Sequence, residues 1–592
     1  MNVSDVVVRF LEERGVGKVF MLSGGGIMYL LDALGKSEKL GYVCNYHEQA
    51  CAIAADGYAR MNGFGVCFAT YGPGAVNALA GAIGAWYDSV PMLVVSGQVR
   101  SNLVADYTKV RQVGPQEGNV LEMVKPVTKY AVSLRDPNMI LSELEKAYHI
   151  AKSGRPGPVW LELPLDMQSA EVDWDMLPHW EGETAKSAPN PLQHLSEILE
   201  SLRSAKRPVL VLGNGVRLSG MYEAVYQLVN KLEIPTLIPY TGKDLLEWDN
   251  EYSFGVFGTA GQRHANIILQ NSDLILGLGV GFCVAKTGFE TKKFAVGAKK
   301  IFVDVDAGQL DGHPLKADLP ILSDLRDFVP GLLSALEGYE GSHRPWLDLC
   351  AAWKRQYPMV TEALRVDGAF INSYVFMDTL SDVAAEGDVI VTGNGLDCVS
   401  FYQAFKIKKD QRAALNGNWG SMGWDLPTAV GAHYATGKRT LCIAGDGSLM
   451  LNGQELLTIG ANKLPVKVFV FNNDGYGSIK ATQNNFFESR FVGSGPSSNV
   501  YNPDFEGLAR AFGLNYVKVS QHSTLRDSLV GVVNADGPVL CEVMISPEQW
   551  ISPKATSFKN AEGKIESKPL DDMFPFLPAD EIEANRRLAQ AL

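Results

Sequence analysis

The sequence predicts an α/β protein of three doubly wound parallel-sheet domains, and three observations carry that prediction. The chain has 592 residues, too many for a single hydrophobic core. Short apolar runs, such as those at 66–70, 208–212, 389–392 and 441–444, alternate with segments of helical spacing, the pattern of strands buried on both faces. Several runs end in glycine-rich turns, and the C-terminal ends of open parallel sheets are where such folds bind ligands.

Bulk properties narrow the function. A hydrophobic content of 46% with 20% charged residues is that of a globular protein. The net charge of −13 speaks against a nucleic-acid partner or an anionic membrane surface. No uncharged apolar stretch reaches membrane-spanning length. The eight cysteines are scattered without a Cys-x-x-Cys pair, which predicts buried free thiols in a reducing compartment. Met1-Asn2-Val3-Ser4-Asp5 has neither the basic nor the apolar region of a signal peptide, so a cytoplasmic protein is expected.

In chain order, residues 1–170 read as the first domain. A helix at 5–14 precedes a strand at 18–22 that stops at Ser23-Gly24-Gly25-Gly26, read equally as a loop or a cofactor contact. His47-Glu48-Gln49 opens an alanine-rich helix to Arg60, whose small residues imply close packing. A first-turn glutamate such as Glu48 is also what the helix dipole favours. Gly72-Pro73-Gly74 leads a small-residue helix that contains Asn77, and Gln116-Glu117 lies in a polar loop. Polar residues at 170–190, Glu183 to Lys186 among them, read as a linker to a second domain at 190–340. Its strands end at Gly213-Asn214-Gly215, Gly277-Leu278-Gly279 and Asp304-Val305-Asp306. A second linker with a helix is expected at 340–370, and the third domain at 365–548. The tail, 549–592, is read either as a cover over the site or as a surface brace.

The densest polar cluster at strand ends lies in the third domain. Gly445-Asp446-Gly447-Ser448 and Asn472-Asn473-Asp474-Gly475-Tyr476-Gly477 each follow an apolar run, and 24 residues lie between Gly447 and Asn472. Residues 449–463 have helical spacing, so the motifs belong to one strand–helix–strand unit. Gly445 and Gly447 let the backbone approach a diphosphate, and the helix start at Ser448 offers it free N–H groups. Asp446 and Asn473, with Gly475 in the same turn, supply the hard oxygens that Mg²⁺ prefers. Each motif taken singly is more often a tight turn; the spacing joins them.

Together the two motifs resemble the thiamine-diphosphate fingerprint. His47-Glu48-Gln49 with Ala55-Asp56-Gly57-Tyr58-Ala59-Arg60, Gly72-Pro73-Gly74 with Asn77, and Asp88-Ser89-Val90-Pro91 are similar to the acetolactate synthase branch of the thiamine-diphosphate enzymes. The likeness covers nearly the whole chain to about residue 550. It implies that the first domain binds the pyrimidine and the third the Mg²⁺-diphosphate. One cofactor must then touch both, with the halves drawn from different subunits of a homodimer or homotetramer. By this resemblance Glu48 is catalytic, hydrogen-bonding the pyrimidine N1′ so that the cofactor can lose its thiazolium proton. Ser23, Gly24, Gly25, Pro73 and Asn77 are expected beside the cofactor on the first-domain side. Gly395, Gly420, Met422, Gly445, Ser448, Tyr476 and Gly477 are expected on the other, with Met422 as the wedge between the two rings. Gln116 is expected either to contact substrate or to lie exposed in its loop. The middle domain implies FAD at Gly213, Asn214, Gly215, Thr241, Gly279, Asp304, Val305 and Asp324, although the family's flavin-contacting arginine is Gly281 here.

The implied reaction is decarboxylation of pyruvate or a similar 2-oxo acid and transfer of the acyl anion to a carbonyl acceptor. Around the acceptor the chain departs from its relatives. Thr482, beside Gln483, stands where they usually carry Trp, and Leu165 stands where they carry Lys. A lost indole and a lost charge predict a neutral ketone acceptor larger than pyruvate. Ordinary acetolactate synthesis, 2-oxo acid decarboxylation or oxidation, and a non-catalytic thiamine-binding subunit are the alternatives.

Overall fold

The computed structural model describes residues 1–182, 190–341, 343–559, 562 and 565–592. Glu183 to Lys186 of the first expected linker, and Ser342 at the start of the second, lie outside the described residues. Three six-stranded sheets, parallel throughout, account for the architecture. The first comprises β1 (Lys18–Met21), β2 (Gly41–Cys44), β3 (Gly65–Ala69), β4 (Met92–Gln98), β5 (Tyr130–Ser133) and β6 (Pro158–Pro164) in the order β2-β1-β3-β4-β6-β5. The second comprises β7 (Pro208–Leu212), β8 (Thr236–Ile238), β9 (Ser253–Val256), β10 (Leu274–Leu278), β11 (Lys299–Asp304) and β12 (Leu319–Leu322) in the order β12-β11-β10-β7-β8-β9. That is the dinucleotide-binding order of a doubly wound sheet. The third comprises β13 (Val389–Thr392), β14 (Arg412–Ala414), β15 (Thr440–Gly445), β16 (Val466–Asn472), β17 (Asn515–Val519) and β18 (Val539–Met544). Its order, β14-β13-β15-β16-β18-β17, repeats that of the first sheet.

The first and third sheets share one core through two helices, Glu48–Asn62 and Asp425–Thr436. Their backbones nearly touch. A Cβ on Gly57 would stand 2.6 Å from the Thr428 carbonyl oxygen, and one on Gly431 would stand 1.9 Å from that of Ala54. Only glycine fits at such a crossing, which is the close packing that the alanine-rich sequence implies. Beside it, Arg60 bonds Asp56 at 2.7 Å and Asp88 at 2.8 Å, and the Trp424 indole N–H donates to Asp56.

Two expectations change in detail. The helical spacing at 449–463 is two short helices, Asp446–Leu451 and Glu455–Ala461, because the chain leaves helical geometry at Asn452. Asn452 instead donates its side-chain amide to the Gly423 carbonyl. The helix expected in the second linker, Arg344–Gln356, buries Trp346 and Trp353 in the core of the second sheet. Six of the eight cysteines are buried, Cys44 is exposed, and all eight are free thiols. Among the described residues no helix is long and apolar enough to cross a membrane.

Candidate active site

In the third sheet β13 and β15 are neighbours, and the chain winds away from them in opposite directions. This is the topological switch point, where strand-end loops splay apart and leave a crevice. The loops after β13, β15 and β16 surround a cavity of about 620 Å³ there.

Asp446, 1% exposed, organises its floor. One carboxylate oxygen accepts the Gly447 N–H at 2.7 Å. The other accepts the N–H groups of Asn473 at 3.1 Å and Gly475 at 2.9 Å and the side-chain amide of Asn502 at 2.7 Å. Burial raises this carboxyl and the four donors pull it back down. The glycines have separate reasons. A Cβ on Gly447 would strike the Tyr476 ring at 2.2 Å. Gly475 has φ +110°, and a Cβ there would stand 2.7 Å from the Ser494 carbonyl oxygen. Gly445 leaves its side open, with Asp397 Oδ1 the nearest atom at 4.0 Å.

A carboxylate, an amide oxygen and a backbone carbonyl (Asp446, Asn473 and Gly475) fit a hard divalent cation. Among the described residues no group of three His, Cys, Asp or Glu side chains could hold a metal unaided, so this donor set suits a cation that also takes ligand oxygens. Gly395, Met422, Ser448, Tyr476, Gly477 and Thr482 line the same cavity. Gly420 does not; it sits in the exposed turn before Met422. Gln483 also stays outside, its side chain bonded to Val492 and Ser494.

At the matching end of the first sheet, Glu48 is the first residue of its helix and 8% exposed. Its carboxylate accepts the Asn77 amide at 3.1 Å, and a Cβ on Gly74 would stand 2.9 Å from its other oxygen. Ser23, Gly24 and Gly25 follow β1; a Cβ on Gly24 would meet Thr70 at 2.6 Å. Pro73 opens the helix Pro73–Asp88, and Gly72 before it (φ +59°) lies against the backbone of Gln116, whose own side chain is exposed. None of these residues lines the Asp446 cavity, whose walls all come from residues 394–554. Glu455, fully buried, ties the loop before Glu48 to the third sheet by accepting from the Asn45 amide and the Tyr46 N–H. Leu165 starts the short helix Leu165–Ser169 after β6 and is likewise absent from the cavity wall.

A second cavity, of about 530 Å³, lies where all three sheets meet. Gly213, Asn214, Gly215, Thr241, Gly279, Asp304, Val305 and Asp324 all line it. So do cations that the sequence reading missed. Lys243 has no described side-chain partner, and burial, with Lys354 next, pushes its ammonium down to about 7. Lys286 donates to the Gly281 carbonyl at 2.6 Å, so a cation stands beside Gly281 from five residues downstream. Spacing alone gives no signal for that, since the loop between them sets the return.

The tail divides its work. Gln549, Trp550, Ile551 and Lys554 line the Asp446 cavity. Beyond them, the hairpin of β19 (Ser557–Lys559) and β20 (Ile565–Ser567) and the helix Ala579–Gln590 dock on the second domain, where Asn585 accepts from the Trp353 indole at 2.9 Å. Lys554 brings an ammonium group to this cavity from the tail; it has no described partner, and burial lowers its pKa.

Comparison with known proteins gives three family matches in sequence order. They are the thiamine pyrophosphate enzyme N-terminal TPP binding domain over residues 1–123, the central domain over 195–332 and the C-terminal TPP binding domain over 394–543. Among similar proteins is the acetolactate synthase large subunit of Lactococcus lactis subsp. lactis (strain IL1403), 32% identical over 93% of each chain. The acetolactate synthase isozyme 1 large subunit of Escherichia coli (strain K12) is 30% identical over 93% of this chain and 95% of the relative. The chloroplastic acetolactate synthase 2 of Nicotiana tabacum is 31% identical over 94% of this chain and 83% of the relative.

Proposed function

The chain belongs to the acetolactate synthase-like branch of the thiamine pyrophosphate enzymes, and we propose that it joins the two-carbon unit of pyruvate, or of a similar 2-oxo acid, to a ketone larger than pyruvate. Thiamine-diphosphate-dependent decarboxylation and carboligation are the chemistry of this branch. The observation that carries the reading is the Asp446 carboxylate, fixed by four N–H donors at the switch point of a cavity that Met422 and Thr482 also line.

When bound, thiamine diphosphate supplies the nucleophilic carbon and the electron sink. The chain supplies position and proton control. Asp446, Asn473 and Gly475 would hold Mg²⁺ and through it the diphosphate, Gly445 leaves room for that group, and Met422 would prop the ring portion. Glu48, steadied by Asn77, would hold a proton against the pyrimidine nitrogen. Glu48 lies outside the walls of the Asp446 cavity of its own chain, which favours an active site completed by a second copy. The minimal active unit is then a homodimer, with residues 1–170 of one copy facing 365–548 of the other.

The middle domain, 190–340, would hold FAD without using its redox chemistry. The dinucleotide strand order, the convergence of the eight glycine-turn and acidic residues, and the ammonium groups of Lys243 and Lys286 support this. Purified protein should then carry the visible absorbance of a flavin and release FAD on denaturation; colourless, fully active protein would refute it.

For the acceptor, Thr482 leaves volume where an indole would stand, and Lys554 offers a cation for an anionic substituent. The test is CO₂ release from pyruvate, with product analysis in mixtures of pyruvate, a neutral diketone and an anionic keto compound. Acetolactate as the dominant product would return the chain to ordinary acetolactate synthesis. No CO₂ release with any 2-oxo acid would refute the enzymatic reading.

A further inference from the structure

The loop between β14 and the helix Asp425–Thr436 runs from one cavity to the other. Leu415 and Asn418 line the second cavity, and Met422 lines the Asp446 cavity. The loop contains only turns, and Gly420 (φ +70°) and Gly423 (φ +76°) take left-handed conformations that glycine adopts without cost. Backbone stiffness does not fix Met422, so contacts from outside the loop must do so.

Those contacts come from all three domains. On either side of Met422 the third domain holds the backbone. The Ser421 carbonyl accepts the Asn394 amide at 2.6 Å, the Gly423 N–H donates to Ser448 Oγ at 2.8 Å, and the Gly423 carbonyl accepts the Asn452 amide at 2.7 Å. Nearer β14, Asp88 of the first domain accepts the Asn416 amide at 2.9 Å and the Asn418 N–H at 3.2 Å. The second domain contributes Tyr240, whose hydroxyl donates to Asn418 Oδ1 at 3.0 Å. Its ring lies so close to Gly417 that a Cβ there would stand 2.3 Å away. Trp419 turns outward and stacks on Tyr87, with ring centroids 4.9 Å apart and planes 9° from parallel. Asn418 and Trp419 are exposed, whereas Tyr240 is 7% exposed and packed in a hydrophobic core. The phenol is thus a fixed post, and the loop is the part that can move.

We propose that Tyr240 is a positioning residue for the cofactor site: by holding Asn418 it keeps the loop in the arrangement that presents Met422 to the Asp446 cavity. The proposal rests on that cavity holding thiamine diphosphate. It gives the middle domain a part in cofactor binding that needs no ligand in its own cavity. When a loop leaves its binding-competent arrangement, the apparent Kd rises by the inverse of the fraction that stays competent. One net hydrogen bond changes such a fraction by up to about tenfold. The fold should hardly register the loss, because Tyr240→Phe frees an acceptor on an exposed residue and leaves no buried carbonyl or amide unpaired. The hydroxyl's other described neighbour, the Cys283 thiol at 3.6 Å, is a weak partner.

The experiment is calorimetric titration with thiamine diphosphate at saturating Mg²⁺, on full-length protein stripped of that cofactor and metal. It compares the wild type, Tyr240→Phe, Asn418→Ala and the double variant, with a denaturant melt of each. Both single changes should raise Kd by about threefold to tenfold while the denaturant midpoint stays within error of wild type. The double variant should bind no more weakly than Asn418→Ala, since a bond already lost cannot be lost again. The near-ultraviolet circular dichroism of the Trp419–Tyr87 stack, assigned by difference from Trp419→Leu, should fall in Tyr240→Phe. It should return when thiamine diphosphate and Mg²⁺ are added, which a merely structural role would not produce. If Tyr240→Phe fails to fold, Asn418→Ala and its Trp419 signal decide the matter. Unchanged Kd in both single variants overturns the proposal. So does a Tyr240→Phe effect that persists in the Asn418→Ala background, which would mean that the hydroxyl acts elsewhere, for instance on a ligand of the second cavity. A lowered denaturant midpoint as the only change would make Tyr240 a structural contact and overturn it as well. Absence of cofactor binding by the wild type would overturn the reading of the cavity itself, and this proposal with it.

Discussion

The first and third sheets have the same strand order and the same switch point, yet they present opposite chemistry there. The first offers one carboxylate, Glu48, paired with an amide and hemmed in by glycines packed against Thr70, Gln116 and Glu48 itself. The third offers Asp446 saturated with N–H donors, a pair of buried acids and an open cavity. A parallel sheet determines where a ligand can sit, and the loops after its strands determine what the ligand meets. The second sheet makes the same point by contrast, since its different strand order leads to a cavity lined by glycine turns and cations.

The largest expected effect breaks the connection between the paired regions. Arg60→Ala would leave Asp56 and Asp88 buried without their cation, and losing one member of a buried ion-pair network costs about 3–5 kcal/mol. A large fall in denaturant midpoint should follow, and a change within error would mean that the shared apolar core alone holds the two sheets.

Next, Asp446→Ala should weaken binding of thiamine diphosphate with Mg²⁺ by about 10²-fold, because four donors lose a charged acceptor and the cation loses a ligand. Unchanged affinity in a titration of stripped protein would remove the metal from this site. Glu48→Gln should divide the regions most cleanly. It should leave cofactor affinity and fold near normal while turnover falls by about 10²-fold, the usual scale for lost proton-transfer support. A rate close to wild type would demote Glu48 to a helix-terminal residue.

The sequence made the strands legible because buried parallel strands are short apolar runs, and it made Asp446 and Asn473 legible because their spacing spans one strand–helix–strand unit. What it hid depends on tertiary return. Asn502 reaches Asp446 from 56 positions away, and nothing in its own neighbourhood marks it. Lys554 enters the cavity because the tail doubles back after Trp550, and Asp397 and Asp425 face one another only once β13 and the helix Asp425–Thr436 are packed. Leu165 is a different case. Like Glu48 it lies outside the Asp446 cavity of its own chain, at the start of the helix after β6, so a place beside the acceptor would have to come from a second copy, and the charge within this chain's own cavity is judged from Lys554.

The smallest expected effect tests that judgement. Thr482 lies on the helix Gly477–Phe486, and its hydroxyl donates to the Ser478 carbonyl at 3.1 Å, turned back onto its own helix. It therefore presents little more than a methyl-sized wall to the cavity that it lines, and being exposed it leaves room for a larger side chain. Thr482→Trp would fill that volume with an indole and narrow the acceptor side. In the proposed reaction the donor half would depend on Asp446, Met422 and Glu48, none of which the change touches, so CO₂ release from pyruvate should persist. Discrimination by the volume of an apolar pocket is worth about 1–3 kcal/mol, so the product ratio should move by roughly tenfold toward acetolactate and away from the adduct of a larger ketone. Lys554→Met, made in the same background, separates volume from charge. It should weaken only acceptors that carry an anion, by about tenfold or less, since a half-buried cation near water is partly screened. If Thr482→Trp leaves the product ratio unchanged, the acceptor does not approach along this helix, and its selection lies with residues contributed by a second copy.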